Sequence, residues 1–167
     1  MELSLKSEYA ILAMLELANN FAIEQPLQIR HIANQQNIPD RYLEQLLATL
    51  KRQGLVKSQR GSKGGYILAR EPRQISLLEI IHGIEGYDPI AEDTSKSGVE
   101  SASLSVIREA WETAQKAASS VLDGCTLKDL CDRQRQRQIA TTMYYIWVCC
   151  YLLLHCGYHR DYHVQRS

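Results

Sequence analysis

The 167-residue sequence is poor in several residue types that mark particular protein classes. Four prolines and nine glycines exclude collagen-like and low-complexity chains. The 19 basic and 19 acidic side chains cancel, which excludes a disordered polyelectrolyte. No cysteine precedes residue 125, and the five present (125, 131, 149, 150 and 156) are odd in number, so we expect free thiols rather than a disulfide framework. The 45% apolar content predicts one globular domain, or a small domain with an appendage.

The sequence also lacks the marks of a targeting or membrane segment. Glu8 and Glu16 interrupt the first apolar stretch, and no basic region precedes it, so we expect no signal peptide and a cytoplasmic location. The most apolar run is residues 143–156, with 13 apolar residues of 14. As a helix it would span only about 21 Å, which is shorter than the roughly 30 Å hydrocarbon core, so we expect no membrane partner.

The neutral total hides two regions of opposite charge. Between Lys51 and Arg73 seven basic residues face one acidic residue, a balance of +6. From Glu85 to Glu112 seven acidic residues face two basic ones, a balance of −5. The basic stretch is a candidate polyanion site, although a charge run taken alone is more often a solvated face.

Two short helices joined by a tight turn are predicted upstream of the basic stretch. The first covers residues 28–36, the turn covers residues 37–40, and the second helix ends near Gly54. The second helix has apolar residues at helical spacing, so they should face inward while the intervening polar residues face outward. These apolar positions are Leu43, Leu46, Leu47 and Leu50. Such a pair is typical of a helix-turn-helix, although helical hairpins without a DNA partner are common.

A hairpin is predicted directly after the second helix. Residues 55–60 and 66–70 are strand-like, and the glycine-rich segment 61–65 joins them. In this position the hairpin is interpreted as a wing, whose glycines let the backbone approach a phosphate and whose Arg60 and Lys63 supply charge. A plain solvent-facing hairpin is the alternative.

A long helix is predicted in the second half of the chain. A capping box at Ser76 begins a helix to about residue 84, with Ile75, Leu78, Ile81 and Ile84 facing inward. A coiled-coil-like seam then begins at residue 104 and favours a homodimer over intramolecular packing. The seam consists of Leu104, Ile107, Trp111, Ala114, Ala118, Val121 and Cys125.

The predicted fold is therefore mainly α with a small β-hairpin wing. Residues 1–84 form a winged helix-turn-helix DNA-binding domain, and residues 85–103 form an acidic loop. Residues 104–138 form the dimerisation helix and a short C-terminal helix that starts at a capping box, residues 126–129. Residues 139–167 are an apolar tail to which the sequence assigns no role.

Three segments resemble the Rrf2 family of bacterial winged-helix transcriptional regulators. These are residues 5–10 (LKSEYA), 38–46 (IPDRYLEQL) and 54–66 (GLVKSQRGSKGGY), with weaker support from Trp111 and residues 126–130. The resemblance covers about residues 1–138. It implies a homodimeric transcription factor that reads a palindromic DNA operator, and we expect this member to be a repressor.

The resemblance also implies which residues contact DNA. Arg41, Tyr42, Glu44 and Gln45 would face the major groove, with Arg60, Gly64 and Gly65 at the wing. Ser4, Lys6 and Tyr9 would help to hold phosphate, and the basic stretch adds Lys51 and Lys63. Arginine suits guanine, glutamine suits adenine, and Glu44 could accept a hydrogen bond from cytosine.

The sequence departs from the family at the cofactor site. Sensor members hold an iron-sulfur cluster with three loop cysteines, and this chain has none before residue 125. We therefore expect no cofactor and no metal site. Two alternatives stay open. One is an iron-sulfur, metal or thiol sensor with displaced ligands, such as Cys125, Cys131 and Glu8. The other is a regulatory module that binds a protein partner or a small effector. No arrangement of catalytic residues is present, so we expect no enzyme.

Overall fold

The computed structural model describes residues 3–23, 25–61, 64–86 and 102–156, with backbone alone at residues 102, 141 and 145–156. Two compact units divide the chain, one ending at Cys131 and the other beginning at Asp132. The helices are α1 (Leu5–Asn19), α2 (Ile29–Gln36), α3 (Asp40–Arg52), α4 (Leu77–Glu85), α5 (Ala102–Asp123) and α6 (Leu127–Cys156). Two strands, β1 (Val56–Gln59) and β2 (Gly65–Leu68), and two short 3₁₀ helices, Phe21–Ile23 and Pro72–Gln74, complete the described elements.

Side-chain caps fix the starts of three helices. The Ser4 hydroxyl accepts from the Ser7 amide at α1, 3.1 Å away, and the Ser76 hydroxyl accepts from the Glu79 amide at α4, 3.2 Å away. At α6 the Thr126 hydroxyl accepts from the Asp129 amide, and the Asp129 carboxylate accepts in return from the Thr126 amide at 2.9 Å. These bonds satisfy first-turn amides that have no partner within the helix. The capping boxes predicted at Ser76 and Thr126 therefore start helices as expected.

One hydrophobic core joins α1, α2, α3, α4 and the root of the hairpin. Its fully buried members include Met14 of α1, Ile32 of α2 and Leu43 of α3. Leu55 and Val56, at the start of the hairpin, extend the same core. The packed core therefore supports both the polar face of α3 and the hairpin.

The hairpin is antiparallel, with Val56 opposite Leu68 and Gln59 opposite Gly65. Strand β1 is one residue shorter than predicted at each end, whereas β2 begins one residue earlier and ends two residues earlier than predicted. An isolated bridge attaches it to the chain before α2: the Leu27 amide donates to the Tyr66 carbonyl at 3.0 Å, and the Tyr66 amide donates back at 2.8 Å. The start of β2, next to the wing tip, is therefore held by backbone hydrogen bonds to β1 on one side and to Leu27 on the other.

A second isolated bridge connects the start of α4 to the turn between α5 and α6. The Leu77 amide donates to the Cys125 carbonyl at 2.9 Å, and the Leu127 amide donates to the Ile75 carbonyl at 3.0 Å. Ile75 and Leu127 are both fully buried. The end of α5 is thereby anchored to the core.

Two predictions about helices need correction. In α4 the buried residues are Ile80 and Ile84, whereas Leu78 and Ile81 are only partly buried. Helix α4 packs against α1, α3 and α5, and these contacts determine which of its residues are covered. The helix predicted to end near residue 138 was expected to be short, but α6 continues to Cys156. The polar run 133–138 contains no glycine or proline to interrupt it.

Candidate nucleic-acid interface

Helix α3 separates its apolar and polar residues cleanly. Its four leucines are at most 2% exposed, whereas Arg41, Glu44 and Gln45 are exposed. Pro39 is the N-cap of α3. After the helix ends, the chain turns at Gly54, whose φ of 74° favours glycine. The prediction that the leucines of α3 face inward and its polar residues face outward is confirmed.

The turn between α2 and α3 is tight and partly buried. Asn37 caps α2 in the left-handed conformation, with φ 54°, and the next amide, that of Ile38, donates to the Ala33 carbonyl at 2.9 Å. Ile38 itself is 4% exposed and packs in the core. This turn fixes α3 against α2, as a helix-turn-helix requires.

Two tyrosines link α1 to the polar face of α3. The rings of Tyr9 and Tyr42 meet edge to face, with centroids 5.8 Å apart and planes at 77°. Both side chains are only partly buried. The two tyrosines predicted at the interface are therefore neighbours, and each restricts the orientation of the other.

The hairpin lies beside the end of α3. The Lys51 ammonium donates to the Ser58 hydroxyl at 2.6 Å, which joins the last turn of α3 to β1. Arg52, Lys57 and Arg60 are also exposed there. Lys63 lies outside the described residues. The basic stretch is less uniform than the sequence indicates, because its last two cations, Arg70 and Arg73, form ion pairs with Glu79 and Glu71.

Of the three described glycines at the wing tip, Gly64 and Gly65 have contacts within the chain that exclude a side chain. A Cβ on Gly64 would lie 2.4 Å from the Gln59 carbonyl oxygen, and one on Gly65 would lie 2.3 Å from the Leu27 carbonyl oxygen. Both distances are well inside van der Waals contact. Contacts within the hairpin at Gly64, and with the chain before α2 at Gly65, therefore require these glycines, whether or not a phosphate also approaches them.

Ser4 and Lys6, predicted to hold phosphate, form hydrogen bonds within the chain. The hydroxyls of Ser4 and Ser7 donate to the Glu85 carboxylate, and the Lys6 ammonium donates to the Ile84 carbonyl. The hydrogen bond from Ser4, then that from Ser7, and the nearby Lys6 charge lower the pKa of Glu85, against a smaller opposing effect of burial. These contacts join the start of α1 to the end of α4. Sequence reasoning missed Glu85, which carried only the signal of an acid at a helix end.

The predicted dimer seam lies on α5, apart from Cys125 just after its end, and is largely uncovered in the single chain. Leu104, Ile107, Trp111 and Val121 are 49–73% exposed, and Ala114 is exposed as well. Ala118 and Cys125, towards the end of the seam, are partly buried. The predicted acidic loop falls mostly on residues 87–101, outside the described residues.

The donor groups present do not fit the family's loop-thiolate cluster. The sequence has no cysteine before residue 125, and the described residues contain no group of three or more His, Cys, Asp or Glu placed to hold a metal ion. The Cys125 thiol is partly buried, and the Cys131 thiol is buried in the core. Separately, no helix among the described residues is long and apolar enough to cross a membrane.

Comparison with known proteins places these features in one family. The Rrf2 family, described as iron-dependent transcriptional regulators, matches residues 3–133. The regulator CymR of Bacillus subtilis (strain 168) is 39% identical over 144 residues, covering 86% of this chain and 99% of its own. Two solved structures are similar. T. potens IscR has a TM-score of 0.68 and 38% sequence identity, and the match covers 83% of this chain and 91% of that one. CymR, the global cysteine regulator of B. subtilis, has a TM-score of 0.66 and 37% identity, and the match covers 80% of this chain and 98% of that one. The chain belongs to the Rrf2 family of DNA-binding transcriptional regulators.

Proposed function

We propose that the chain is a homodimeric repressor that reads a palindromic operator with residues 40–53 and the wing, residues 57–70, without an iron-sulfur cluster. The observation that carries the proposal is the exposed polar face of α3, presented on a base of fully buried leucines beside a basic hairpin. A helix of this kind fits the major groove, while a hairpin beside it reaches the backbone or the minor groove.

Direct reading of bases is assigned to three exposed side chains of α3. Arg41 can donate two hydrogen bonds to guanine, and Gln45 can pair with adenine. Glu44 can accept from the cytosine amino group and repels phosphates, so it disfavours wrong registers as well as selecting a base. Tyr42, packed on Tyr9, holds the start of this face in place.

Phosphate contacts are assigned to the end of α3 and to the wing. Lys51 and Arg60 are exposed, and the hydrogen bond from Lys51 to Ser58 sets the spacing between helix and hairpin. Lys63, which precedes Gly64 and Gly65 in the sequence, adds a further positive charge. Ser4 and Lys6 already bond within the chain, so their role is to fix α1, which carries Tyr9.

A second copy of the chain is the proposed partner of α5. The large apolar side chains of the seam are exposed in the single chain, and burial against an identical helix would remove them from water. Two copies related by a twofold axis would place two α3 helices on matching half-sites, which requires a palindromic operator.

The test begins with genome-wide DNA capture by the full chain, purified without oxygen, followed by titration of the recovered site and a scrambled duplex. Arg41→Ala should lower affinity for the operator about 5- to 100-fold, as loss of one base contact does, with little change on scrambled DNA. Lys51→Ala should weaken both duplexes alike and reduce the salt dependence. Lys116→Ala, an exposed cation on α5, is the matched control. An equal loss on both duplexes for Arg41→Ala would contradict the assigned role.

Metal content and absorbance of the same sample test the cofactor. Operator binding by colourless, metal-free protein supports a cluster-free regulator. Operator binding only by a coloured or metal-bound form would favour the alternative of a sensor with displaced ligands. If neither form enriches any sequence, the DNA-reading proposal is wrong, and a role in binding a protein partner becomes the better explanation.

A further inference from the structure

A pocket of about 270 Å³ lies between the end of α1 and the wing. Its apolar lining includes Leu17 and Phe21 from the end of α1 and just after it, Leu27 from the segment before α2, and Ile67 from β2. Phe21 is the only phenylalanine of the chain and remains 38% exposed at the pocket. An engineered cavity of about 150 Å³ is large enough to bind benzene, so this pocket has room for a ring with one or two substituents.

The lining restricts the charge of any ligand. Of the nine described residues that line the pocket, none is ionised at neutral pH, and six are Leu, Ile, Phe or Tyr. A charged molecule would lose hydration there without an opposite charge to compensate. The other three are Asn20, Gln25 and Gln59, whose primary amides offer both donors and acceptors. The lining therefore favours an uncharged molecule with an apolar body and one or two hydrogen-bonding groups.

The pocket shares its wall with the attachment of the wing. Leu27 and Tyr66, which both line it, exchange the two backbone hydrogen bonds that hold β2 to the chain before α2. Gln59, also in the lining, is the last residue of β1 and immediately precedes Arg60. A molecule in the pocket would therefore contact the end of β1 next to the wing tip, and β2 beside its bridge to Leu27.

We propose that this pocket is an effector site for a small uncharged molecule, whose binding changes the position of the wing and hence the affinity for DNA. The regulatory part rests on the proposed function, whereas binding to the pocket does not. By linkage, the factor by which the molecule changes DNA affinity equals the factor by which DNA changes affinity for the molecule. A molecule that binds both wing positions equally would change nothing.

Three probes of nearly the same shape test the charge requirement: benzamide, benzoate and benzamidinium. Binding to the full chain without DNA is measured by ligand-observed NMR and by chemical-shift changes of backbone amides. Benzamide should bind with a millimolar dissociation constant, as a fragment of this size does, and shift the Leu27 and Tyr66 amides. The two charged probes should bind at least 10-fold more weakly. Equal binding of all three, or no shift at these amides, would overturn the site.

A pocket-filling variant then tests the location. Gln25→Trp places a large ring at an exposed position of the lining, so it should reduce benzamide affinity at least 10-fold without unfolding the chain. Gln136→Trp, at an exposed position of α6 outside the lining, is the matched control and should bind as the natural chain does. Unchanged binding by Gln25→Trp, with the fold retained by circular dichroism, would overturn the location.

The final measurement separates the pocket from the DNA-binding proposal. Saturating benzamide should change the dissociation constant for operator DNA at least 3-fold in the natural chain and leave Gln25→Trp unchanged. Benzamide binding without that change would overturn the regulatory role and leave the pocket. Failure of the chain to bind any DNA would overturn the proposed function, while the NMR result would still decide the pocket.

Discussion

Helices α3 and α5 both carry apolar residues at three- and four-residue spacing, but only α3 buries them. The leucines of α3 are at most 2% exposed, whereas Trp111 on α5 is 60% exposed and Val121 is 73% exposed. Periodicity thus locates an apolar stripe but does not reveal whether its partner lies in the same chain. Helix α3 draws its stability from the core, whereas α5 still exposes most of its apolar surface.

The largest expected effect is at the core side of α3. Leu47→Ala removes a fully buried side chain and leaves a cavity, which should cost about 2–5 kcal/mol of unfolding free energy. Urea denaturation followed by circular dichroism measures it. Gln45→Ala, on the exposed face of the same helix, should change stability by less than about 0.5 kcal/mol. Similar losses for the two variants would contradict the separation of faces.

The boundary between the two regions can be tested at Leu127. This residue is fully buried, and its amide completes the bridge that anchors the end of α5 to the start of α4. Leu127→Ala should cost about 2–4 kcal/mol by the same denaturation measurement. Arg133→Ala, exposed on α6, should be nearly neutral. If Leu127→Ala were also neutral, the anchor would contribute nothing to the core.

The exposed seam should respond differently from the core. Trp111→Ala should raise the dimer dissociation constant about 10- to 100-fold, because a large aromatic side chain at an interface commonly contributes about 1.4–2.8 kcal/mol of binding free energy. Sedimentation over a range of concentrations measures it, with Glu112→Ala as the neighbouring exposed control. The stability of α3 should not change. A natural chain that stays monomeric throughout, or a dimer that ignores Trp111→Ala, would contradict the seam.

Local patterns were sufficient to predict most elements of the winged helix-turn-helix. Leucine spacing located α3, two capping boxes located the starts of α4 and α6, and the glycine-rich segment located the hairpin. Each of these signals depends on residues within a few positions of one another. The exposed polar face of α3 follows from the same spacing, so that part of the candidate site was also predictable.

Features that depend on distant contacts were not predictable. Nothing near Leu27 indicates that it pairs with Tyr66, nor does Ser76 indicate a bridge to Thr126. The burial of Ile80 in place of Ile81 depends on the helices that surround α4. The acid at Glu85 acquires its role only because α1 begins beside it, where two serine hydroxyls donate to its carboxylate and a lysine donates to the neighbouring Ile84 carbonyl.

The smallest expected effect is at Glu85, a contact at the surface that contrasts with the core of α3. Its lowered pKa means that the folded chain binds this proton less tightly than the unfolded chain does. The carboxylate therefore adds stability above the ordinary value of 4.5, and this stability is lost as the pH falls through the lower folded value. Glu85→Gln should cost under about 1 kcal/mol at neutral pH, as exposed charged contacts do, and should flatten the acid end of the urea-midpoint profile. Glu44→Gln, on the exposed face of α3, controls for net charge, and identical acid profiles for the two variants would show that the Ser4 and Ser7 contacts do not stabilise the joint between α1 and α4.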